Sequence, residues 1–131
     1  MDLGGAVALW ATAMGKRIKA SVIGSYLCEL SELALRQVGV CGSQILPDLY
    51  CYFDLCDVAA LIPPKPLLIQ SGIHDQDLPI ESAQRSVARL KTAYAAWEHP
   101  EMLEHDVFAG GQEFHSKTAF AWFDRWLTNP Q

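Results

Sequence analysis

Three short apolar runs, separated by segments of helical pattern, constrain the fold of this chain more than any other feature. The runs cover residues 17–26, 65–72 and 103–108, and their length and composition are typical of buried strands. Helical spacing of apolar residues follows in residues 79–97 and again in 116–127. Because strands joined by helices pair in parallel through right-handed crossovers, the pattern predicts an α/β fold with a small, mostly parallel sheet of about three strands.

The rest of the chain adds shorter elements to this frame. A helix of small residues is predicted at 4–14, because Gly15 and two basic residues directly follow its apolar positions. The other predicted elements are a helix at 29–38, an irregular surface loop at 41–54, a short helical turn at 57–62 and a polar loop at 73–78.

Length and composition indicate one globular domain covering residues 1–131. Half of the residues are hydrophobic and 19% are charged, which is the composition of a folded protein rather than a disordered one. The net charge of −5 argues against nucleic acid or an anionic membrane as a partner. We therefore expect a small molecule or another protein chain as the binding partner.

Targeting and metal-binding signals are weak in this sequence. No run approaches the roughly 18 apolar residues of a membrane span, and Lys16 and Arg17 follow the first apolar stretch instead of preceding it. We therefore expect a cytoplasmic protein. The four cysteines do not have zinc-site spacing, so we expect reduced thiols and no metal or other cofactor.

Polar side chains collect where the second and third predicted strands end. The segments there read "SGIHDQDLP" and "AGGQEFHS", and they supply Asp75, Asp77, Glu113 and His115. In open α/β sheets, functional groups gather at the carboxyl ends of the strands. Carboxylates at suitable separation can act as general acid and base, including in glycoside cleavage. The alternative is a solvated acidic loop with an exposed histidine near the start of the last helix.

Three segments resemble the C-terminal half of the α/β-hydrolase superfamily, in the branch of dienelactone hydrolases and acetyl xylan esterases. "PKPLLIQSGIHDQDLPIESA" resembles the strand and loop that carry the catalytic acid, with Asp75 four residues before Pro79. "LEHDVFAGGQEFHSKTAFAWFDRWL" resembles the last strand, histidine loop and last helix, and "MDLGGAVALW" resembles the back half of the nucleophile elbow. The resemblance implies a three-layer α/β-hydrolase-like sandwich, truncated at the elbow.

Two of the three catalytic positions that this resemblance implies carry other residues. The serine position falls on Asp2 and the histidine position on Gln112, while Asp75 keeps the acid position. An ionised Asp2 could attack without a base, as in the dehalogenase and epoxide-hydrolase branches, but hydrolysing the resulting ester still needs an activated water. Because the amide of Gln112 cannot accept a proton, we do not expect the Ser-His-Asp mechanism.

Two functions remain open at this point. The first, which we favour, is a minimal hydrolase of small ester or glycoside substrates whose non-standard site contains Asp75, Asp77, Glu113 and His115, where His115 reaches Asp75 only if its loop relaxes. The second is a catalytically inactive remnant that acts as an oligomeric binding or scaffold protein. The resemblance implies a strand beside residues 17–26 that this sequence does not contain, and a bare apolar edge favours pairing. We therefore expect self-association as a homodimer or higher oligomer.

Overall fold

The computed structural model describes residues 3–35, 48 and 51–128. Its helices and strands, in chain order, are α1 (Leu3–Met14), β1 (Ser21–Gly24), α2 (Leu30–Leu35), α3 (Leu55–Ala59), β2 (Leu67–Gly72), α4 (Ile80–Ala96), β3 (Leu103–Phe108) and α5 (Ser116–Phe123). A 3-10 turn at Pro100–Met102 leads into β3, and a π-helical turn at Asp124–Thr128 continues α5.

The three strands form one parallel sheet in the order β1-β2-β3. Leu67 at the start of β2 is the register partner of Ser21 on one side and Leu103 on the other. Every residue of the central strand β2 is buried. The predicted parallel sheet of about three strands is therefore confirmed.

One face of the sheet carries the main apolar core. Side chains alternate along a strand, so Leu67 and Ile69 point to this face together with Ile23 of β1. They share one cluster with residues of α1, α2, α3 and α4, including the fully buried Leu9 and Tyr94. Burying such side chains contributes about 1.5–3 kcal/mol each, so this face is the main source of stability.

The opposite face is covered by α5. Leu68 and Gln70 point to this side, and both are fully buried, although neither belongs to the main cluster. Ala119 and Trp122 are the buried residues of α5. Helices on both faces of a parallel sheet give three layers, as expected for a partial α/β-hydrolase-like fold.

The first strand is shorter than the sequence predicts. Residues 17–26 were expected to be extended, but pairing begins at Ser21, whose N–H donates to the carbonyl of Pro66. Because proline has no N–H, Pro66 cannot continue the ladder toward the N-terminus. At the other end Ser25 adopts a φ of 47°, in the left-handed region, which ends the strand.

The other elements match their predicted positions with small shifts. The helix predicted at 57–62 begins earlier, at Leu55, because Asp54 and Asp57 form a reciprocal capping box at its start. The helix predicted at 116–127 changes from α to π geometry after Phe123. Residues 36–38 of one predicted helix and most of the predicted loop at 41–54 lie outside the described residues.

Candidate functional site

The loops that follow β2 and β3 are in direct contact. The backbone N–H of Ile73 donates to the carbonyl of Phe108 at 3.0 Å, and the N–H of His74 donates to the carbonyl of Gly110 at 2.9 Å. The parallel ladder thus continues past the ends of both strands. The two polar segments that the sequence singles out therefore lie side by side at the carboxyl edge of the sheet.

Gly72 allows this close approach. A Cβ atom on Gly72 would collide with the carbonyl oxygens of Gly110 and Gly111, and backbone atoms cannot move aside as a flexible side chain can. The Gly-Gly turn therefore rests directly on the backbone of β2. Any residue larger than glycine at position 72 must push the two loops apart.

Asp75 is held by its own loop. One carboxylate oxygen accepts hydrogen bonds from the N–H of Asp77 at 3.0 Å and from the N–H of Leu78 at 3.1 Å. The N–H of Asp75 itself donates to the carbonyl of Gly72 at 3.3 Å. The loop thus fixes the direction of this carboxylate, whereas Asp77 is exposed. Asp75 is placed to act as a fixed acceptor.

The turn after β3 carries Gln112 and Glu113, both exposed. The N–H of Glu113 donates to the carbonyl of Gly111 at 3.0 Å, which tightens the turn. The carboxylate of Glu113 folds back over Gly110, where it occupies the space that a Cβ would need. Glu113 is therefore close to the contact between the two loops, while Asp2 lies outside the described residues.

His115 is paired with Asp106. Its Nδ1 lies 2.7 Å from the Asp106 Oδ2 and 3.2 Å from the Thr118 hydroxyl, and its ring packs against Phe108 with centroids 4.9 Å apart. The sequence left open whether His115 could turn toward Asp75, and in the structure its Nδ1 faces Asp106. The reason is that His115 directly precedes α5, which covers the face of the sheet to which Asp106 points.

Gln70 holds this pair in place. It is the register partner of Asp106 and is fully buried. Its Nε2 donates to the Asp106 carboxylate at 3.1 Å and to the carbonyl of His115 at 2.8 Å. The imidazole, the carboxylate and the amide thus form one hydrogen-bonded group between β2, β3 and the start of α5.

Sequence reasoning did not include Asp106 and Gln70 among the candidate residues. The alternation along β3 was interpreted as structural for both His105 and Asp106. The Nε2 of His105 lies 3.0 Å from the Ser71 hydroxyl, on the face of the sheet opposite to Asp106. Burial, and then the nearby Lys91, lower the pKa of His105. The strand register would have identified both residues, since the pairing of β2 with β3 places Asp106 beside Gln70.

The two buried cysteines of the described residues, Cys28 and Cys56, do not provide a nucleophile. Burial raises the pKa of the Cys28 thiol to about 12 and that of the Cys56 thiol to about 11, and neighbouring carboxylates add to both. Thiols with such pKa values stay protonated and unreactive at neutral pH. Cys51 is exposed.

The described residues contain neither a metal-binding group of side chains nor a membrane-spanning helix. Between residues 3 and 128, leaving out 36–47, 49 and 50, no three His, Cys, Asp or Glu side chains are grouped so that they could hold a metal ion. In the same part of the chain, no helix has the length and apolar character needed to cross a membrane.

Comparison with known proteins places this architecture among hydrolases. No protein-family model matches the chain. YtaP of Bacillus subtilis (strain 168), a protein named as a hydrolase, is 29% identical over 97 residues, which is 72% of this chain and 32% of that protein. The chain thus spans about a third of the length of this curated relative.

Solved structures of esterases share the fold. A carbohydrate esterase family 15 glucuronoyl esterase from Caldicellulosiruptor kristjansonii matches 97% of this chain and 42% of its own, with a TM-score of 0.74 and 16% identity. An esterase of Pyrococcus furiosus matches 97% of this chain and 52% of its own, with a TM-score of 0.69 and 18% identity. The glucuronoyl esterase catalytic domain of Hypocrea jecorina matches 98% of this chain and 43% of its own, with a TM-score of 0.69 and 17% identity.

These likenesses confirm the resemblance that the sequence motifs suggested. The chain has a truncated α/β-hydrolase-like fold with a three-stranded parallel sheet. At such low identity the structures establish the fold alone.

Proposed function

We propose that this protein is a hydrolase of small ester or glycoside substrates that works without the Ser-His-Asp triad. Its working groups in this proposal are His115, Asp75, Asp77 and Glu113 on the two touching loops and at the start of α5. One observation carries the proposal: the imidazole of His115 is held at 2.7 Å by the carboxylate of Asp106. A histidine oriented in this way at Nδ1 is suited to act as a general base through Nε2.

The chemistry of this arrangement can be written for an ester. His115 accepts a proton from water as the water oxygen bonds to the acyl carbon. It then returns that proton to the departing alkoxide as the ester C–O bond breaks, so the products are an acid and an alcohol. The Asp106 carboxylate stabilises the transient imidazolium, and Gln70 keeps that carboxylate in place.

For a glycoside, the carboxylates take the main part in the proposal. One carboxyl group would protonate the leaving oxygen while another assists the attacking water. Asp75 is fixed by two backbone N–H groups, and Glu113 lies on the neighbouring loop, which contacts the loop of Asp75 through His74. These two carboxylates, with Asp77 beside them, are the ones we assign to such a reaction.

The test compares chromogenic esters and glycosides on wild-type protein and on His115→Gln. We expect ester hydrolysis to fall on the order of a hundredfold in the variant, the usual contribution of a positioned acid or base. His99→Gln is the matched control, because that exposed histidine pairs with the neighbouring Glu101. Equal rates in wild type, His115→Gln and His99→Gln would reject the proposed base.

A second pair of variants separates the carboxylates. Asp106→Asn keeps the shape of the side chain but removes the charge that holds His115, so we expect it to lower ester hydrolysis and to change its pH profile. Asp75→Ala tests the loop carboxylate, and hydrolysis that survives its loss removes Asp75 from the site. For Gln112→His we expect no gain of esterase activity.

The alternative function, an inactive protein that acts through self-association, is favoured by α1. The helix presents a stripe of apolar residues with heptad-like spacing, of which Leu3, Val7 and Met14 are 58%, 60% and 79% exposed. The stripe includes Trp10, which also lines a cavity of about 270 Å³ with residues of α3 and its flanks. Among the described strands, β1 pairs only with β2.

Light scattering on the purified chain tests this alternative. We propose a homodimer or higher oligomer at micromolar concentration, which Val7→Glu dissociates because it places a charge in the apolar stripe. Phe120→Glu, on the exposed side of α5, is the matched control and should leave the assembly intact. A monodisperse monomer at that concentration would contradict the proposed self-association.

A further inference from the structure

The outer edge of β1 carries backbone groups that point away from the rest of the sheet. The N–H of Ser21 donates to the carbonyl of Pro66, and the N–H of Ser25 donates to the carbonyl of Gln70. Because backbone groups alternate in direction along a strand, Val22 points its N–H and carbonyl to the other side. In the described part of the chain β1 pairs with β2 alone, and Val22 is partly exposed. Val22 is therefore the centre of an unpaired strand edge.

The sheet has a second outer strand, β3, but the edge of β3 is protected by charge. Glu104 and Asp106 both lie on this strand, and Glu104 is exposed. Charged residues on an outer strand oppose pairing, because a copy of the same strand would bring like charges together. In contrast, β1 contains no charged residue. Of the two edges of the described sheet, β1 is the one that suits a further strand.

The neighbouring helix α1 extends this uncharged surface. It packs tightly on β1, since a Cβ on Gly5 would lie 2.9 Å from the carbonyl oxygen of Gly24. No residue of α1 is charged, and helices of that kind are normally covered. A four-residue edge alone is too small for a specific interface, which buries about 1,200–2,000 Å². The exposed apolar side chains of α1 can supply the remaining contact: Leu3, Val7 and Met14.

The two ends of β1 differ in charge. Three exposed basic residues precede the strand: Lys16, Arg17 and Lys19. Burial raises the pKa of the Cys28 thiol, which follows the strand, and four carboxylates near it add to the rise: Asp54, Glu32, Glu29 and Asp75. Arg85 pairs with Glu29, so acidic groups outnumber basic ones at this end. The charge complement of such a strand is an antiparallel copy of itself.

We propose that a second copy of this chain occupies the β1 edge, antiparallel and centred on Val22. The N–H of Val22 in each copy donates to the Val22 carbonyl of the other, and two three-stranded sheets become one sheet of six strands. A two-fold axis closes this contact, so it produces a dimer rather than a fibre. The dimer rests on the self-association proposed above as the alternative function, to which it assigns a surface and a geometry.

Hydrogen exchange of single backbone amides, measured by NMR on the full chain, tests this pairing. We expect the Val22 amide to be protected at high protein concentration and to exchange at least roughly tenfold faster on dilution below the dimer dissociation constant. The Ile23 amide, which faces β2, is the internal control and should stay protected at both concentrations. Fast exchange of the Val22 amide in a sample that light scattering shows to be dimeric overturns the edge contact.

Val22→Pro removes the outward N–H without removing a hydrogen bond to β2. We expect the dissociation constant of the dimer to rise roughly tenfold or more, because both reciprocal hydrogen bonds are lost. Ile23→Pro is the matched comparison, since it removes a bond within the sheet and should lower the stability of the monomer itself. A Val22→Pro protein that is folded by circular dichroism and dimerises as tightly as the wild type overturns the proposal.

Lys19→Glu tests the same contact without changing the backbone of the strand. It reverses the charge of an exposed side chain at the basic end of β1, so the dissociation constant should rise about threefold or more at low ionic strength and less at high ionic strength. Lys117→Glu, at an exposed lysine of α5, is the matched control and should leave the dimer unchanged. Equal effects of the two variants contradict the antiparallel arrangement.

The outcomes separate this interface from the self-association on which it rests. A monodisperse wild-type monomer rejects both. A dimer that Val7→Glu dissociates, but whose Val22 amide exchanges freely, supports self-association through α1 and rejects the β1 edge. None of these measurements uses turnover, so they leave the proposed hydrolase activity to its own test.

Discussion

The two faces of the sheet use the same three strands for different purposes. One face packs Ile23, Leu67 and Ile69 against α1 to α4 in a continuous apolar core. The other face buries Gln70, which holds the partly exposed pair of Asp106 and His115 beside α5. Apolar burial stabilises a fold without regard to direction, whereas buried polar groups must be placed precisely to be satisfied. The difference indicates that stability lies mainly on the first face, whereas the second face carries the proposed chemistry.

The largest expected effect tests the apolar face directly. Leu90→Ala removes a side chain that is 1% exposed from the main core, so we expect the free energy of unfolding to fall by about 2–5 kcal/mol. Phe120→Ala, at a side chain 62% exposed on α5, should change it by less than about 0.5 kcal/mol. Urea denaturation measures both. Similar losses in the two variants would contradict the assignment of stability to the apolar face.

The next effect concerns the polar face at the point where its two loops meet. Gly72→Ala places a methyl group against the carbonyl oxygens of Gly110 and Gly111, so we expect a loss of about 1–3 kcal/mol. Gly4→Ala is the matched control, because a Cβ there meets nothing within 4 Å and alanine is the better helix former. If Gly72→Ala is as well tolerated as Gly4→Ala in urea denaturation, the loops are not in the contact described.

A smaller effect tests a polar group on the apolar face. The hydroxyl of the buried Tyr94 donates to the carbonyl of Lys65 at 2.7 Å, beside the start of β2. Tyr94→Phe leaves that carbonyl without this donor, and we expect a loss of about 1 kcal/mol with the ring still packed. Thermal unfolding of the variant checks this value, and an unchanged midpoint would show that water replaces the hydroxyl.

The smallest effect is a pH dependence that arises from His105. Burial lowers its folded-state pKa below the ordinary value of 6.5, so the unfolded chain binds a proton more readily than the folded one. The stabilising contribution is complete above about pH 6.5 and is lost as the pH falls toward the folded-state pKa. His105→Gln should remove this part of the pH dependence of urea denaturation, while His99→Gln should keep it. Identical pH profiles for wild type and His105→Gln would contradict the prediction.

Much of the fold was predictable because its signals are local. The run of residues 65–72 places apolar side chains on both faces through Leu67, Leu68 and Ile69, as a buried central strand requires, and Pro79 comes directly before the helical spacing of α4. The bounds of β3 were predicted residue for residue. The shorter β1 was not predicted, because its length depends on Pro66, the residue directly before the neighbouring strand β2.

The candidate site was predictable only in part. The positions of Asp75 and Glu113 at neighbouring strand ends follow from the order of the elements, and the contact between their loops agrees with it. The partner of His115 could not be predicted, because Asp106 and Gln70 meet through strand register and are 36 residues apart in the sequence. A sequence pattern shows which face a residue occupies, but not which residue lies beside it.

The sequence by itself determined the order of strands and helices, the parallel sheet and the two loops at its carboxyl edge. It also determined that Gln112 stands where the resemblance implies a catalytic histidine. Tertiary structure alone decided that His115 faces Asp106 and that Gln70 contacts the same carboxylate. The reason is physical: periodicity and turn residues act within a few positions, whereas these contacts arise when β2, β3 and α5 pack together.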